Sequence, residues 1–369
     1  MILTRMTSRL VAPLALLMVV VGTMTAGAAP SGPPIRIGGT LALTGPLAAT
    51  ALLHKITGEI YVEELNRANG LLGRPVEWVL LDDQSKPEIT RTLYEKLITV
   101  DKVDLVMGPY ATGAIIAAMG VAQRYQKVLI HHSFGMPHLA KYEMHFPAAP
   151  FGPEPNRTVP GVVFDAVAAA PNPPRSAAIV TSKFPSAQFQ SSGARDVATQ
   201  RGLKVVLYLE YEFGTRDFGP IAARIKDANP DLLWVGALGL DGNLVLEELK
   251  RLDYSPRRHF HLFPAPGPMV MAPEAKNALS STFFEEHPPF TNNPVAAKAG
   301  VPTATKSLDD KLMGQWLRKN QVPTIVGRFR FDGPNNYGDD LTKVKQVQDG
   351  KWIVVWPKEF APPGARLLP

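Results

Sequence analysis

Val103-Asp104-Leu105-Val106-Met107-Gly108-Pro109-Tyr110-Ala111-Thr112-Gly113 is a short apolar run, a Gly-Pro break and a hydroxyl residue ahead of a helical pattern. The bounded apolar run reads as a buried strand, and residues 108–113 read as a ligand loop and a helix N-terminus. The first amides of a helix lack intrahelical partners and carry partial positive charge. A loop of this kind at the carboxyl end of a buried strand can therefore hold a carboxylate.

On the N-terminal side the same alternation recurs. Residues 35–43 read as a strand closed by Thr44-Gly45-Pro46. Leu53, Ile56, Ile60 and Leu65 fall on one face of a helix over 49–69, with Gly70 as its stop. Val76, Trp78 and Leu80 alternate in a strand ending at Asp82-Asp83. Ser85-Lys86-Pro87-Glu88 has the form of a capping box opening a helix whose Ile89, Leu93 and Leu97 share a face. On the C-terminal side a helix to about residue 125 and a strand at 128–130 lead into His131-His132-Ser133-Phe134-Gly135-Met136-Pro137. Strands alternating with helices imply parallel neighbours joined by right-handed crossovers, so this half is one doubly wound lobe.

The composition shifts over 146–155, which holds four prolines and no helical period, as expected of a crossing between lobes. A second α/β run comes next, with strands at 177–181, 203–211 and 232–238 and helices at 159–170, 187–200, 221–228 and 244–252. A breaker at 264–268, a helix at 308–319 and antiparallel strands at 325–331, 344–347 and 352–356 complete the chain, with Asp349-Gly350 as a hairpin turn. The fold class expected is α/β: two doubly wound parallel-sheet lobes joined by three crossings. The first lobe is expected to comprise 29–148 and 265–325, the second 149–264 and 326–369.

Residues 1–28 read as a secretion signal. Arg5 and Arg9 precede an apolar core too short to span a bilayer, and Ala26-Gly27-Ala28 offers a cleavage site. Its removal leaves 341 residues, comfortable for two domains, and lowers the formal net charge from +6 to +4. Charges are mixed along the chain without a basic run, which disfavours nucleic acid as a partner. With no cysteine, disulfides, thiolate chemistry and a lipid-modified N-terminal cysteine are excluded. The expected product is an exported, periplasmic monomer without stable membrane insertion.

Several stretches, in order, carry a likeness: Ile35-Arg36-Ile37-Gly38 before Thr44-Gly45-Pro46; Glu63-Glu64-Leu65-Asn66 before Gly70-Leu71-Leu72-Gly73-Arg74; Asp82 to Pro87; Met107-Gly108-Pro109; Phe331-Asp332-Gly333; and Gln346 to Lys351. Over its whole mature length the chain resembles the periplasmic substrate-binding proteins of ABC importers, in the branched-chain amino-acid-binding type with the type I periplasmic binding fold. The resemblance implies a receptor that closes two lobes on a small molecule and delivers it to an inner-membrane ABC permease. It implies no cofactor, no metal and no enzymatic activity.

The same resemblance assigns a site. In the family the loop after Gly-Pro carries a small hydroxyl pair. Here it reads Ala111-Thr112 beside Tyr110, which makes Thr112 the expected carboxylate grip. The second family loop corresponds to Ser133, Phe134 and Gly135. Second-lobe contacts are expected from Phe189, Leu238, Asp241 and Phe263, with Phe184 as a further aromatic wall. The acid that would hold a ligand ammonium is absent at Phe263-Pro264-Ala265, and Asp241 is the only nearby carboxylate. A buried ammonium without a counter-charge is costly. The expected ligand is therefore an aromatic or apolar carboxylate rather than a standard amino acid, with a branched-chain amino acid or amide as the alternative. His131 or His132 could address a ring hydroxyl. A further departure is that 295–307 is too short for the helix pair that family members place there in the first lobe.

Competing readings are specific. His131, His132, His138 and His145 fit no metal motif. Asp82 and Asp83 could serve a hydrolase, but no Gly-x-Ser-x-Gly, His-Glu-x-x-His or P-loop accompanies them, and strand-end carboxylates ordinarily shape turns. Thr112 could be a helix cap instead of a ligand contact. A ligand-sensing domain of the same fold would need a separate output partner.

Overall fold

A computed structural model describes residues 29–132, 135–285, 287, 305–324 and 327–369. The expected leader, together with Ser133 and Phe134, lies outside the described residues.

The first half alternates as its periodicity predicts. Strand β1 (Ile35–Leu41), helix α1 (Ala48–Arg67), β2 (Val76–Asp82), α2 (Pro87–Thr99), β3 (Leu105–Met107), α3 (Thr112–Arg124), β4 (Leu129–His131) and β5 (His145–Pro147) follow one another. The strands form a parallel sheet in the order β2-β1-β3-β4-β5.

After α4 (Pro155–Ala168) come β6 (Ser176–Ser182), α5 (Pro185–Gln200), β7 (Lys204–Tyr211), α6 (Gly219–Ala228), β8 (Leu232–Gly239), α7 (Asp241–Arg251), β9 (His259–Pro264), α8 (Pro266–Met271) and β10 (Leu279–Thr282). Helix α9 (Asp310–Lys319) and the pair β11 (Val322–Thr324) and β12 (Gly327–Phe329) precede the hairpin β13 (Lys343–Gln348) and β14 (Lys351–Trp356). The second sheet runs β14-β13-β10-β9-β8-β6-β7, antiparallel only where β13 joins β10 and β14. Asp349 and Gly350 take φ of +49° and +71°, as a two-residue hairpin turn of matching twist requires.

Strand β8 is buried on both faces and reads as a near-continuous apolar run, the mark of a central parallel strand. At its middle, Trp234 lies between Phe164, 6.3 Å away and stacked, and Phe260 at 4.3 Å; its indole N–H donates to Ser191 Oγ at 3.0 Å.

Two lobe boundaries differ from those expected. Strand β10 pairs with β9 and β13, so 265–282 belongs with the second sheet, as a short right-handed crossover through α8 dictates. Phe329, Phe331 and Tyr337 bury with Leu129 and Phe146 of the first sheet, and Asn336 Nδ2 donates to the carbonyls of Glu143 and His145. The final return to the second sheet thus comes after Tyr337 rather than at 326. It runs beside the first crossing, where Phe151 bridges Asp340 and Asp340 accepts from Thr158 Oγ1.

Two local expectations also fail. The capping box does not form: Ser85 has φ of +62° and its hydroxyl accepts from Leu47 N at the start of α1, leaving Lys86 as the residue before α2. On α1, Leu53, Ile56 and Ile60 are 44–56% exposed, and Ala51 is the buried residue. The helix rests on the sheet through Gly58, where a Cβ would collide with the Trp78 ring, and beside that contact lies an open apolar groove of ≈ 440 Å³ bordered by Tyr61, Met107 and Ile130.

Burial keeps most of the histidines neutral. It holds His145 and His259 at about 4, His132 at about 3, His54 below its ordinary 6.5, and His131 and His261 well below it. The unfolded chain therefore binds more protons than the folded one between about pH 6.5 and 4, and stability is lost as pH falls through that window. Burial raises Asp83, Asp241 and Asp340 and offsets this only at the acid end. Thermal melts should show a falling Tm from pH 7 to 5; a flat profile would contradict neutral burial.

Candidate functional site

The loop after β3 is shaped by its glycine. Gly108 N–H donates to Ile130 O at 2.6 Å, and a side chain at 108 would strike His131. Ala111 then takes φ of +82° and ψ of 140°, a conformation that costs an L-residue about 1–3 kcal/mol and that concentrates at functional sites. The strained turn starts α3 at Thr112. Ala111 offers no side-chain cap, and the hydroxyl of Thr112, a residue 2% exposed, makes no hydrogen bond among the described residues. The capping alternative for Thr112 is therefore not what the structure shows. Ile115 N–H is the first in the helix to reach a backbone acceptor, Ala111 O.

Opposite stands the N-terminus of α5. Phe184 precedes it in extended conformation, with its N–H donating to Ser182 Oγ, and Pro185 opens the helix. Helices α3 and α5 touch across the two sheets. Between them lies a small chamber of ≈ 20 Å³, lined by Tyr110, Ala111, Thr112 and Gly135 on one side and by Phe184, Ser186, Leu238 and Phe263 on the other, with Phe151 of the crossing between. As it stands this volume holds about one water. Tyr110, Phe151 and Phe263 also form the wall of a second chamber of ≈ 470 Å³, reaching to His54, His132, Ser281 and Lys345. Two helix N-termini with Thr112 and Ser186 face one end of this paired space, the rings of Tyr110, Phe151 and Phe263 stand between, and the far end mixes apolar residues with His54, His132, Ser281 and Lys345.

Seven of the residues expected from the sequence thus meet at the small chamber: Tyr110, Ala111, Thr112, Gly135, Phe184, Leu238 and Phe263. Ser133 and Phe134 lie outside the described residues. Phe189 is not in either chamber's lining; its ring meets His138 at 4.9 Å, a contact between the two halves. Asp241 lines neither chamber and accepts from Tyr211 Oη at 3.0 Å. His131 turns into the sheet and shares a 2.9 Å hydrogen bond with His145, which removes it as a ligand contact. His132 lines the larger chamber, edge-on to His54 at 4.3 Å.

Asp82 accepts from Thr44 N and Oγ1 and from Gln84 N, and Asp83 from Thr40 Oγ1 at 2.7 Å, so the carboxylate pair builds turns. No cluster of three metal-ligating side chains occurs among the described residues.

Two residues of the small chamber's lining escaped sequence reasoning, Phe151 and Ser186, and Gln190 lies one turn beyond Ser186 on the buried face of α5. Polar residues on the buried face of a helix, here Ser186, Gln190 and Ser191, were the available signal.

This arrangement, two α/β halves with a cleft between their strand ends, is that of a solute-binding receptor. Residues 34–300 match the family described as periplasmic binding protein, and the chain belongs to that family. It is 22% identical over 345 residues to the Leu/Ile/Val-binding protein BraC3 of Rhizobium johnstonii, covering 86% of this chain and 93% of the relative. Its fold matches the leucine binding protein LivK of Thermotoga maritima with a TM-score of 0.72 at 17% identity, over 87% of this chain and 97% of that one. It matches equally, at 0.72 and 17% over 86% and 95%, an ABC-transporter solute binding protein of Rhodopseudomonas palustris in complex with 3,4-dihydroxybenzoic acid.

The fold is thus the type I periplasmic binding fold of branched-chain amino-acid ABC systems. The family comprises exported substrate-binding proteins of transport systems rather than enzymes. No helix among the described residues is long and apolar enough to cross a membrane.

Proposed function

We infer that this chain is a monomeric periplasmic receptor that closes two lobes on a small carboxylate with an apolar or aromatic body and hands it to an inner-membrane permease. The observation that carries the reading is the convergence of the α3 and α5 N-termini, with Thr112, on one ring-walled chamber. Free helix amides favour an anion, and rings favour an apolar body. The lobes are the first sheet with 305–337, and the second sheet with the segments up to β10 and after Tyr337. Closure is a hinge motion about the crossings, driven by a ligand that touches both lobes, and periplasmic binding proteins are a standing instance of it. The ligand body takes the space beyond Tyr110, Phe151 and Phe263.

A thermal-shift panel tests this. A carboxylate ligand at 100 times its Kd should stabilise the protein by about 2.7 kcal/mol. Absence of any shift across benzoates, phenylacetates, branched acids and amino acids would sink the reading. Thr112→Ala should weaken binding by about 1.5 kcal/mol, close to tenfold, and Thr112→Ser should restore it, because the hydroxyl donates to a charged group. Unchanged affinity would demote Thr112 to a wall.

The Rhizobium relative, a Leu/Ile/Val-binding protein, favours a second reading, a branched-chain amino acid. No acid lines the small chamber. Leucine stabilising more than its deaminated analogue would decide for that reading.

A further inference from the structure

Gln190 is 0% exposed, and neither its Nε2 nor its Oε1 has a hydrogen-bond partner among the described residues. A buried amide left unpaired on both sides is costly, and such groups in native structures mark a missing ligand or water. Its position says what the ligand group is. A Cβ on Gly135 would lie 3.3 Å from Gln190 Nε2 and 2.7 Å from Ser186 Cβ, so the amide packs directly behind Gly135, a residue of the small chamber's lining of which Gln190 itself is not part. Ser186, one turn before it on α5, lines that chamber, and its hydroxyl makes no hydrogen bond among the described residues.

We propose that Gln190, with Ser186, reads a hydroxyl on the carbon next to the ligand carboxylate, making the ligand a 2-hydroxycarboxylate. This rests on the carboxylate reading of the same chamber. A carboxamide offers a donor and an acceptor side by side. A carboxylate alone takes the donor and leaves Oε1 unpaired. A 2-hydroxycarboxylate presents a carboxylate oxygen to Nε2 and a hydroxyl hydrogen to Oε1, with the hydroxyl oxygen open to Ser186 Oγ–H. Gln190 Nε2 and Ser186 Oγ lie 3.3 and 3.7 Å from one point, the Cβ position of Gly135, so the groups they meet are near neighbours, which places the hydroxyl beside the carboxylate rather than across a ring. An ammonium at that carbon also reaches Oε1, but it brings a charge that no acid in the chamber's lining meets, since Asp241 is engaged by Tyr211 outside it.

Calorimetric titration with two matched trios tests the assignment: phenylacetate, mandelate and phenylglycine; and 4-methylpentanoate, 2-hydroxy-4-methylpentanoate and leucine. Within the trio that binds, the hydroxy acid should bind at least about tenfold tighter than both the plain acid and the amino acid. In Gln190→Leu and Gln190→Met that preference should shrink to within about twofold, with the plain acid's affinity kept. Plain acids binding as tightly as hydroxy acids to the unaltered protein, or a preference surviving both variants, overturns the proposal and leaves the carboxylate reading standing. Preference for the amino acid overturns it in favour of the branched-chain reading. Binding by no member of either trio overturns the proposal, and the thermal-shift panel with benzoates then decides the carboxylate reading separately. The ranking on the unaltered protein decides even where a variant fails to fold.

Discussion

Trp234→Ala should lower the unfolding free energy by about 3–5 kcal/mol, measured by urea denaturation, because it removes the largest fully buried side chain from the centre of β8. The loss has two parts. The ring's contacts with Phe164 and Phe260 vanish and leave a cavity between α4 and the sheet. Ser191 Oγ loses its indole donor at a buried position. Trp234→Phe should keep most of the first part and lose only the second, so its cost should be clearly smaller. Equal costs would show that the hydrogen bond outweighs the packing.

Gly135→Val should abolish tight binding while leaving the fold intact. The new Cβ alone would lie 2.7 Å from Ser186 Cβ, closer than carbon atoms approach, and 3.3 Å from Gln190 Nε2, so the branch would press on that amide as well. Because the two residues sit on opposite halves, the clash is relieved by parting them, which penalises the closed state. An overpacking penalty of about 3 kcal/mol would weaken binding by roughly 100-fold or more. The thermal midpoint without ligand should change little, since the open state relieves the contact. A variant that binds normally would mean that Gly135 and Ser186 separate when ligand enters.

Much of the architecture was legible because parallel strands buried on both faces announce themselves as short apolar runs: β8 over Leu232–Gly239 and β6 over Ser176–Ser182 stand within two residues of their sequence-based bounds. What sequence could not carry was partnership. Ser85 has the spacing of a cap for the helix after it, yet it serves the helix before it, since Thr44 and Leu47 lie beside it only in the folded chain. Leu53, Ile56 and Ile60 have a buried helix's period, but nothing among the described residues covers that face. Strand β10 carries too few residues to declare its sheet, and crossover geometry decided that.

The site divides the same way. Thr112 and Gly135 were legible because loops after parallel strands are where ligands meet this architecture. Asp241 was proposed because it is the nearest acid along the chain, but it faces Tyr211. Gln190 went unseen because being unpaired is a property of surroundings, not of a residue.

The late return of the chain has a consequence for how the molecule comes apart. The first sheet is not finished until Met313, Leu317, Phe331 and Tyr337 cover it, and the second is not finished until β13 joins β10. Each half therefore waits for the same last stretch of the polypeptide, from Met313 onward, and each gives up its share of that stretch when it melts. Neither half is an autonomous folding unit, and heat should melt both in a single cooperative transition. A protease cut between Tyr337 and β13 would leave β13 and β14 held to the second sheet only by their pairing with β10 and their packing.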